Sequence, residues 1–209
     1  FPVNDQCFYL NHAAVAPWPK CTRNAVQEFA EENCQTGAQG YLTWLKKEQD
    51  LRAKLAKLIG SKNQECVALV KNTSEALSLV AYGLNWQAGD IVLISDKEFP
   101  SNRIVWESLA HKFGVIVKQV HISAQDPEAE ILAAINSTSS KPKLISVSAV
   151  QYASGIKLDL AKLGVACTAN DVLFCVDAIQ AVGAMAFKCD EWNIDFAMAD
   201  GHKWMLGPE

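Results

Sequence analysis

Lys203 stands in the run Gly201-His202-Lys203-Trp204-Met205-Leu206, an apolar setting for an amine. A lysine in such surroundings gives up its proton more readily and can serve as a nucleophile or a base; on a solvated surface it would be only a cation. Asp177 closes the apolar run 172–176, and Gln180 follows it by one turn. A carboxylate directly after an apolar strand either forms a turn or keeps a cation protonated in a partly dry site. The third cluster is Asn72-Thr73-Ser74-Glu75, where an apolar run gives way to a helical pattern. Its adjacent hydroxyls either cap that helix, a contribution of ~1 kcal/mol, or join free backbone N–H groups in a cradle for phosphate. Charge-assisted hydrogen bonds contribute roughly 1.5–3 kcal/mol each, so several anchor a phosphate ester. An amine that can lose its proton, an acid for a ring nitrogen and a phosphate cradle together point to pyridoxal phosphate.

The elements that must position these groups follow from periodicity. Residues 20–34 and 38–59 read as helices, the second with Leu42, Leu45, Leu51, Leu55 and Leu58 near a 3.6-residue period and Gly60 as its stop. Beyond it, short apolar runs at 66–70, 91–94, 115–120, 144–148, 172–176 and 196–198 read as strands. They alternate with helical stretches near 74–84, 102–113, 127–136 and 159–169. Strands apolar on both faces and separated by amphipathic helices predict an α/β fold, a mostly parallel sheet flanked by helices. Right-handed crossovers put every strand exit on one edge, where such folds bind ligands. The expected division is an N-terminal segment with helices at 1–60 and a cofactor-binding α/β domain at 61–209.

Composition narrows the function class. The 209 residues are half apolar, with 19 Lys+Arg against 23 Asp+Glu and a net charge of −4. That balance argues against a general nucleic-acid or anionic-membrane binder, and no apolar run approaches the ~20 residues of a membrane span. The seven cysteines form no CxxC pair and the four histidines are scattered, which disfavours a metal site and a disulfide framework. Reduced thiols in a cytoplasmic protein are the expectation. GxGxxG and GxxxxGK(S/T) are both missing, which disfavours a nucleotide. The chain begins with Phe1, so a trimmed start is expected.

Five segments together, YLNHAAVAP (9–17), NTSEAL (72–77), EFPSN (98–102), VDAIQAVGA (176–184) and ADGHKWMLGPE (199–209), resemble the class V aminotransferase superfamily. These are pyridoxal-phosphate enzymes of fold type I, a group that also holds cysteine desulfurases, selenocysteine lyases, kynureninases and isopenicillin-N-epimerase-like proteins. The resemblance implies that Lys203 is the Schiff-base lysine and the catalytic residue, that Asp177 is the pyridinium partner, and that Gln180 hydrogen-bonds the cofactor's phenolic oxygen. It makes Thr73, Ser74 and His202 phosphate ligands. Asp200 falls where many relatives have Ser or Thr, and an anion there would repel phosphate. Phe99 takes the place of the ring that stacks on the pyridine, where cysteine desulfurases have His. Tyr152, with Gln151 as the adjacent alternative, falls where desulfurases have an Asn near the substrate, and Asn11, His12 and Ala13 border the substrate pocket.

The function implied is that of a pyridoxal-phosphate enzyme acting on an amino acid, as a homodimer. Transamination, β-elimination and epimerisation all begin from the same carbanion, so the cofactor site leaves the bond that breaks open. Cysteine desulfurase or selenocysteine lyase is the alternative, with Phe99 against it; the FPS run favours kynureninase slightly, while GHKW does not. Relatives are longer and carry the carboxylate-binding Arg in a small C-terminal domain, so the resemblance implies a fold truncated after the cofactor lysine. In their sheet an antiparallel strand lies between the first and last strands found here, so those two edges are expected to be unpaired. A non-catalytic cofactor-binding fragment is the reading of a different class.

Overall fold

The computed structural model describes residues 1–137, 139 and 141–208; Glu209, the end of the fifth motif, lies outside them. Strands Ile91–Ser95 (β1), Ile116–Val120 (β2), Leu144–Ser148 (β3), Leu173–Asp177 (β4) and Phe196–Met198 (β5) form one sheet in the order β2-β1-β3-β4-β5, and every pair is parallel. The register sets Ser148 beside Asp177, and Asp177 beside Met198, so these strand exits end level with one another.

Strand side chains alternate between two cores, as a two-residue period requires. Val92, Ile94, Leu144 and Cys175 face helices Thr73–Gly83 (α3) and Ser101–Phe113 (α4), where Leu77, Ala81, Trp106 and Leu109 are fully buried. Leu93, Ile145, Val147, Phe174 and Val176 face Ala129–Ile135 (α5) and Leu160–Ala169 (α6), with Ile131, Ile135, Leu163 and Cys167. Each fully buried Leu, Ile, Val or Phe contributes roughly 1.5–3 kcal/mol, so the helix–sheet–helix sandwich holds the strand exits rigidly.

The run 66–70 is a correction to the sequence-based strand assignment. Gln64–Cys66 is a single 3₁₀ turn and 67–70 joins no sheet; only Val67 is buried there, while Leu69 and Val70 are exposed. A β-strand is held by ladder hydrogen bonds, and no described strand lies beside this run to take them.

Ahead of it, Lys20–Thr36 (α1) and Tyr41–Ile59 (α2) meet through a 3₁₀ turn at 37–40, and Phe29 packs edge-on against Trp44 at 5.3 Å. Gly60 ends α2 in the left-handed conformation (φ 71°). The apolar stripe of α2 forms as its period predicts but is uncovered: Leu42, Leu45, Leu51 and Leu58 are exposed and only Ala56 is buried. No helix among the described residues is long and apolar enough to cross a membrane.

Candidate active site

β1 lies between β2 and β3, so the chain crosses the sheet in opposite directions on either side of it, and the strand exits leave a crevice at such a point. A cavity of about 530 Å³ opens there. Lys203, Asp177, Thr73, Ser74, Phe99, Gln180, Asp200, His202, Tyr152, Asn11 and Ala13 all line it. His12 and Gln151 are not among its lining residues.

Asp177 is the last residue of β4 and is 2% exposed. Its Oδ1 accepts the Ile179 N–H at 3.1 Å. Burial pushes its carboxyl up to about 7; the Ile179 N–H and the Lys203 ammonium pull the other way, and the charge of Glu98 adds to the rise. Lys203 sits in the turn after β5. Burial pulls its amine below the ordinary lysine value, against the raising pull of the Asp177 and Asp200 carboxylates. The pair therefore holds charge reluctantly in this crevice, the condition that suits a reactive amine.

The lysine turn is clamped from several sides. Ala16 N–H donates to the His202 carbonyl (2.8 Å), Thr22 Oγ1 to the Leu206 carbonyl (3.1 Å), and Trp18 Nε1 to the Gly207 carbonyl (3.1 Å). Gln180 holds the same N-terminal segment: its Nε2 donates to the Ala13 carbonyl and its Oε1 accepts from Trp204 Nε1, both at 2.9 Å. His12 stacks on the Trp204 ring at 5.5 Å and thus supports the lysine turn from outside the cavity.

Gly183 completes the clamp. It has φ 92°, and a Cβ there would stand 2.5 Å from the Trp204 carbonyl oxygen. Gly183→Ala combines a disfavoured backbone conformation with a backbone clash, each costing on the order of 1–3 kcal/mol. It is expected to lower the urea midpoint of unfolding by the equivalent of about 2 kcal/mol or more; an unchanged midpoint would mean that the turn is not held against residue 183.

The cluster at α3 resolves in an informative way. Asn72, not Thr73 or Ser74, caps the helix, accepting the Glu75 N–H at 3.0 Å. Both hydroxyls are released from capping. Thr73 Oγ1 is buried with no hydrogen-bond partner, and Ser74 Oγ pairs with Ser101 Oγ at 2.8 Å. His202 Nδ1 is also buried without a hydrogen bond; it lies 3.1 Å from Asp200 Oδ1 but is not aligned as a bond. Phe99 and Tyr152 meet edge-on at 5.1 Å on the open side.

Sequence reasoning missed Asn72, Ser101 and Ser148, which also line the cavity, and Glu98, buried beside it. Asn72 was legible, because Asn is among the strongest N-caps and directly precedes the hydroxyls. Gln151, at 1% exposure, turns inward instead and donates to Glu98 Oε1 at 3.1 Å.

The sequence model of the family described as Aminotransferase class-V matches residues 8–209. A probable cysteine desulfurase of Methanothermobacter thermautotrophicus is 34% identical over 207 residues, which cover 96% of this chain and 50% of that protein. The isopenicillin N epimerase of Streptomyces clavuligerus is 30% identical over 159 residues, 75% of this chain and 40% of its own. Among solved structures, the apo cysteine desulfurase of Thermococcus onnurineus superposes with a TM-score of 0.86 at 26% identity, covering 99% of this chain and 52% of that one. The chain thus spans about half the length of these relatives.

Proposed function

The chain belongs to the aminotransferase class-V family, and from that premise we propose that it binds pyridoxal 5′-phosphate at Lys203 and acts with it on an amino acid. When bound, pyridoxal phosphate supplies an aldehyde that amines condense with and a ring that withdraws electrons from the bonds around the substrate Cα.

The residues present fit that group. A buried hydroxyl left without a partner is costly, and Thr73 Oγ1 is such a hydroxyl at the first turn of α3, where backbone N–H groups favour a phosphate. Ser74 and His202 stand on the same cavity wall. Asp177 is a buried acid that a protonated ring nitrogen would ionise and pair with. An amide nitrogen carries two hydrogens, so Gln180 can hold Ala13 and still offer one to the ring oxygen. Phe99 is the ring for the open face. Asp200 serves better by its attraction for the Lys203 ammonium than by touching phosphate, which it would repel.

Lys203 Nζ is the group that takes the Cα proton from the substrate and returns one. Asn11, Ala13 and Tyr152 form the side of the cavity left to the substrate. The observation that carries this reading is that the unpartnered Thr73 hydroxyl, the buried Asp177 and Lys203 face one cavity. Thr73→Val keeps the shape and removes the hydroxyl. It is expected to weaken pyridoxal phosphate binding, followed by visible absorbance, by about 10–100-fold, the equivalent of one hydrogen bond to a charged group. Equal affinity in parent and variant would count against the phosphate site.

A cysteine desulfurase reading is favoured by the name of the 34% identical relative and opposed by Phe99, which cannot move protons as a His could. Sulfide release from cysteine by the loaded chain separates the two. A non-catalytic cofactor-binding role is excluded by turnover of any amino acid. The reading includes a homodimer, for which the support is the uncovered apolar stripe of α2; light scattering tests it.

A further inference from the structure

Glu98 is a buried carboxylate, 7% exposed, that the proposed chemistry leaves without a task. No ion pair to it occurs among the described residues. It instead gathers donors from β1, α4 and the β3 exit. Oε1 accepts from Ser95 Oγ (2.5 Å) and Gln151 Nε2 (3.1 Å), and Oε2 from Asn102 Nδ2 (2.8 Å) and Ser148 Oγ (2.6 Å). The Ser148 N–H lies 3.1 and 3.0 Å from the two oxygens. Asn102 Oδ1 in turn accepts from Trp106 Nε1 at 3.1 Å and from Ser146 Oγ, which anchors the cluster in the core. Such a donor set matches an acceptor at both oxygens, and neutral donors leave its charge uncancelled.

We propose that Glu98 is a positioning residue of the cavity: it ties the β1 exit, which carries Phe99, to the β3 exit, which carries Ser148 and Tyr152, and sets a second negative charge behind Asp177, so that the two carboxylates together favour a cation in the crevice. Ser148 links them, since it binds Glu98 and stands in register beside Asp177. The groups facing Asp177 are Glu98 from the β1–α4 connection, Lys203 from the turn after β5 with Asp200 beside it, and the Cys175 thiol on its own strand. Of these, Lys203 alone opposes the effect of Glu98.

The inference rests on the cofactor reading for its consequence; the titration arm of its test is independent of that reading and the E98D affinity arm is not. The Asp177 carboxyl is titrated by carbon-13 resonance in the cofactor-free chain, for the parent, E98Q and E98D. E98Q is expected to bring the Asp177 midpoint down by about half a unit or more, because a nearby like charge is lost. E98D keeps the charge and leaves that midpoint near the parent's, yet withdraws the carboxylate from Ser148 and weakens pyridoxal phosphate binding by about 10-fold. A folded E98Q with the parent's midpoint overturns the proposal, as does an E98D chain with the parent's affinity. If E98Q does not fold, E98D decides alone. An unmoved midpoint leaves the cofactor reading standing, whereas a chain that takes up no pyridoxal phosphate overturns that reading while a shifted midpoint still establishes the Glu98–Asp177 coupling.

Discussion

Replacing Lys203 with alanine is expected to abolish borohydride-fixed pyridoxal phosphate and to slow any amino-acid turnover by about 10²–10⁴-fold, the range supplied by a positioned proton-transfer group. Binding itself should survive, because Thr73, Ser74, His202 and Asp177 line the cavity independently of the amine. Lys203→Arg is the control: it keeps a cation in the turn but cannot donate a neutral amine. Loss of binding in both variants would mean that the lysine is structural. Labelling that persists in Lys203→Ala would place the reactive amine elsewhere.

Asp177→Asn is expected to stabilise the cofactor-free chain at pH 8 by on the order of 4 kcal/mol while weakening pyridoxal phosphate binding by at least about 10-fold. The sign follows from where the proton sits. The folded chain keeps the Asp177 proton up to about pH 7, against an ordinary value of 3.8. Between those values the unfolded chain is ionised and the folded one is not, so stability falls as pH rises from about 4 to 7, by about 1.4 kcal/mol per pH unit, and is level beyond. Asparagine removes that slope. Urea unfolding at pH 4 and pH 8 reads it directly: variant and parent should agree at the lower pH and separate at the higher. Parallel stability at both values would show that Asp177 is not held protonated in the folded chain.

The same buried carboxyl shows why part of this site was legible in the sequence. Asp177 follows five apolar residues, and a strand over that run places it at the ligand-binding edge from the sequence alone. Phe99, Tyr152 and Lys203 also follow such runs, so the alternating pattern that gave the parallel sheet brought their positions with it, whereas Thr73 follows the run 66–70, which joins no sheet. Other features were written in contacts distant along the chain. The clamp on the Lys203 turn comes from Ala16, Trp18 and Thr22, more than a hundred residues away, and no local pattern announces it. Glu98 lies within the EFPSN motif, yet a carboxylate satisfied by serine, asparagine, glutamine and backbone donors has no sequence signature until the three elements meet.

The strand expected at 66–70 failed for a related reason. Its composition is strand-like, but pairing decides whether such a run becomes a strand, and pairing is a tertiary property. The α2 stripe gave the complementary lesson: the period fixed the helix, while the cover for Leu42 and Leu45 is a separate matter that the period does not address.

The most direct measurement is the peptide mass map of the folded chain after stoichiometric pyridoxal phosphate and borohydride reduction. A single pyridoxyl mass on the peptide carrying Lys203 is the expected result. A label spread over exposed amines such as Lys97 and Lys188, or no label on folded protein, would contradict the assignment of Lys203 and with it the proposed function.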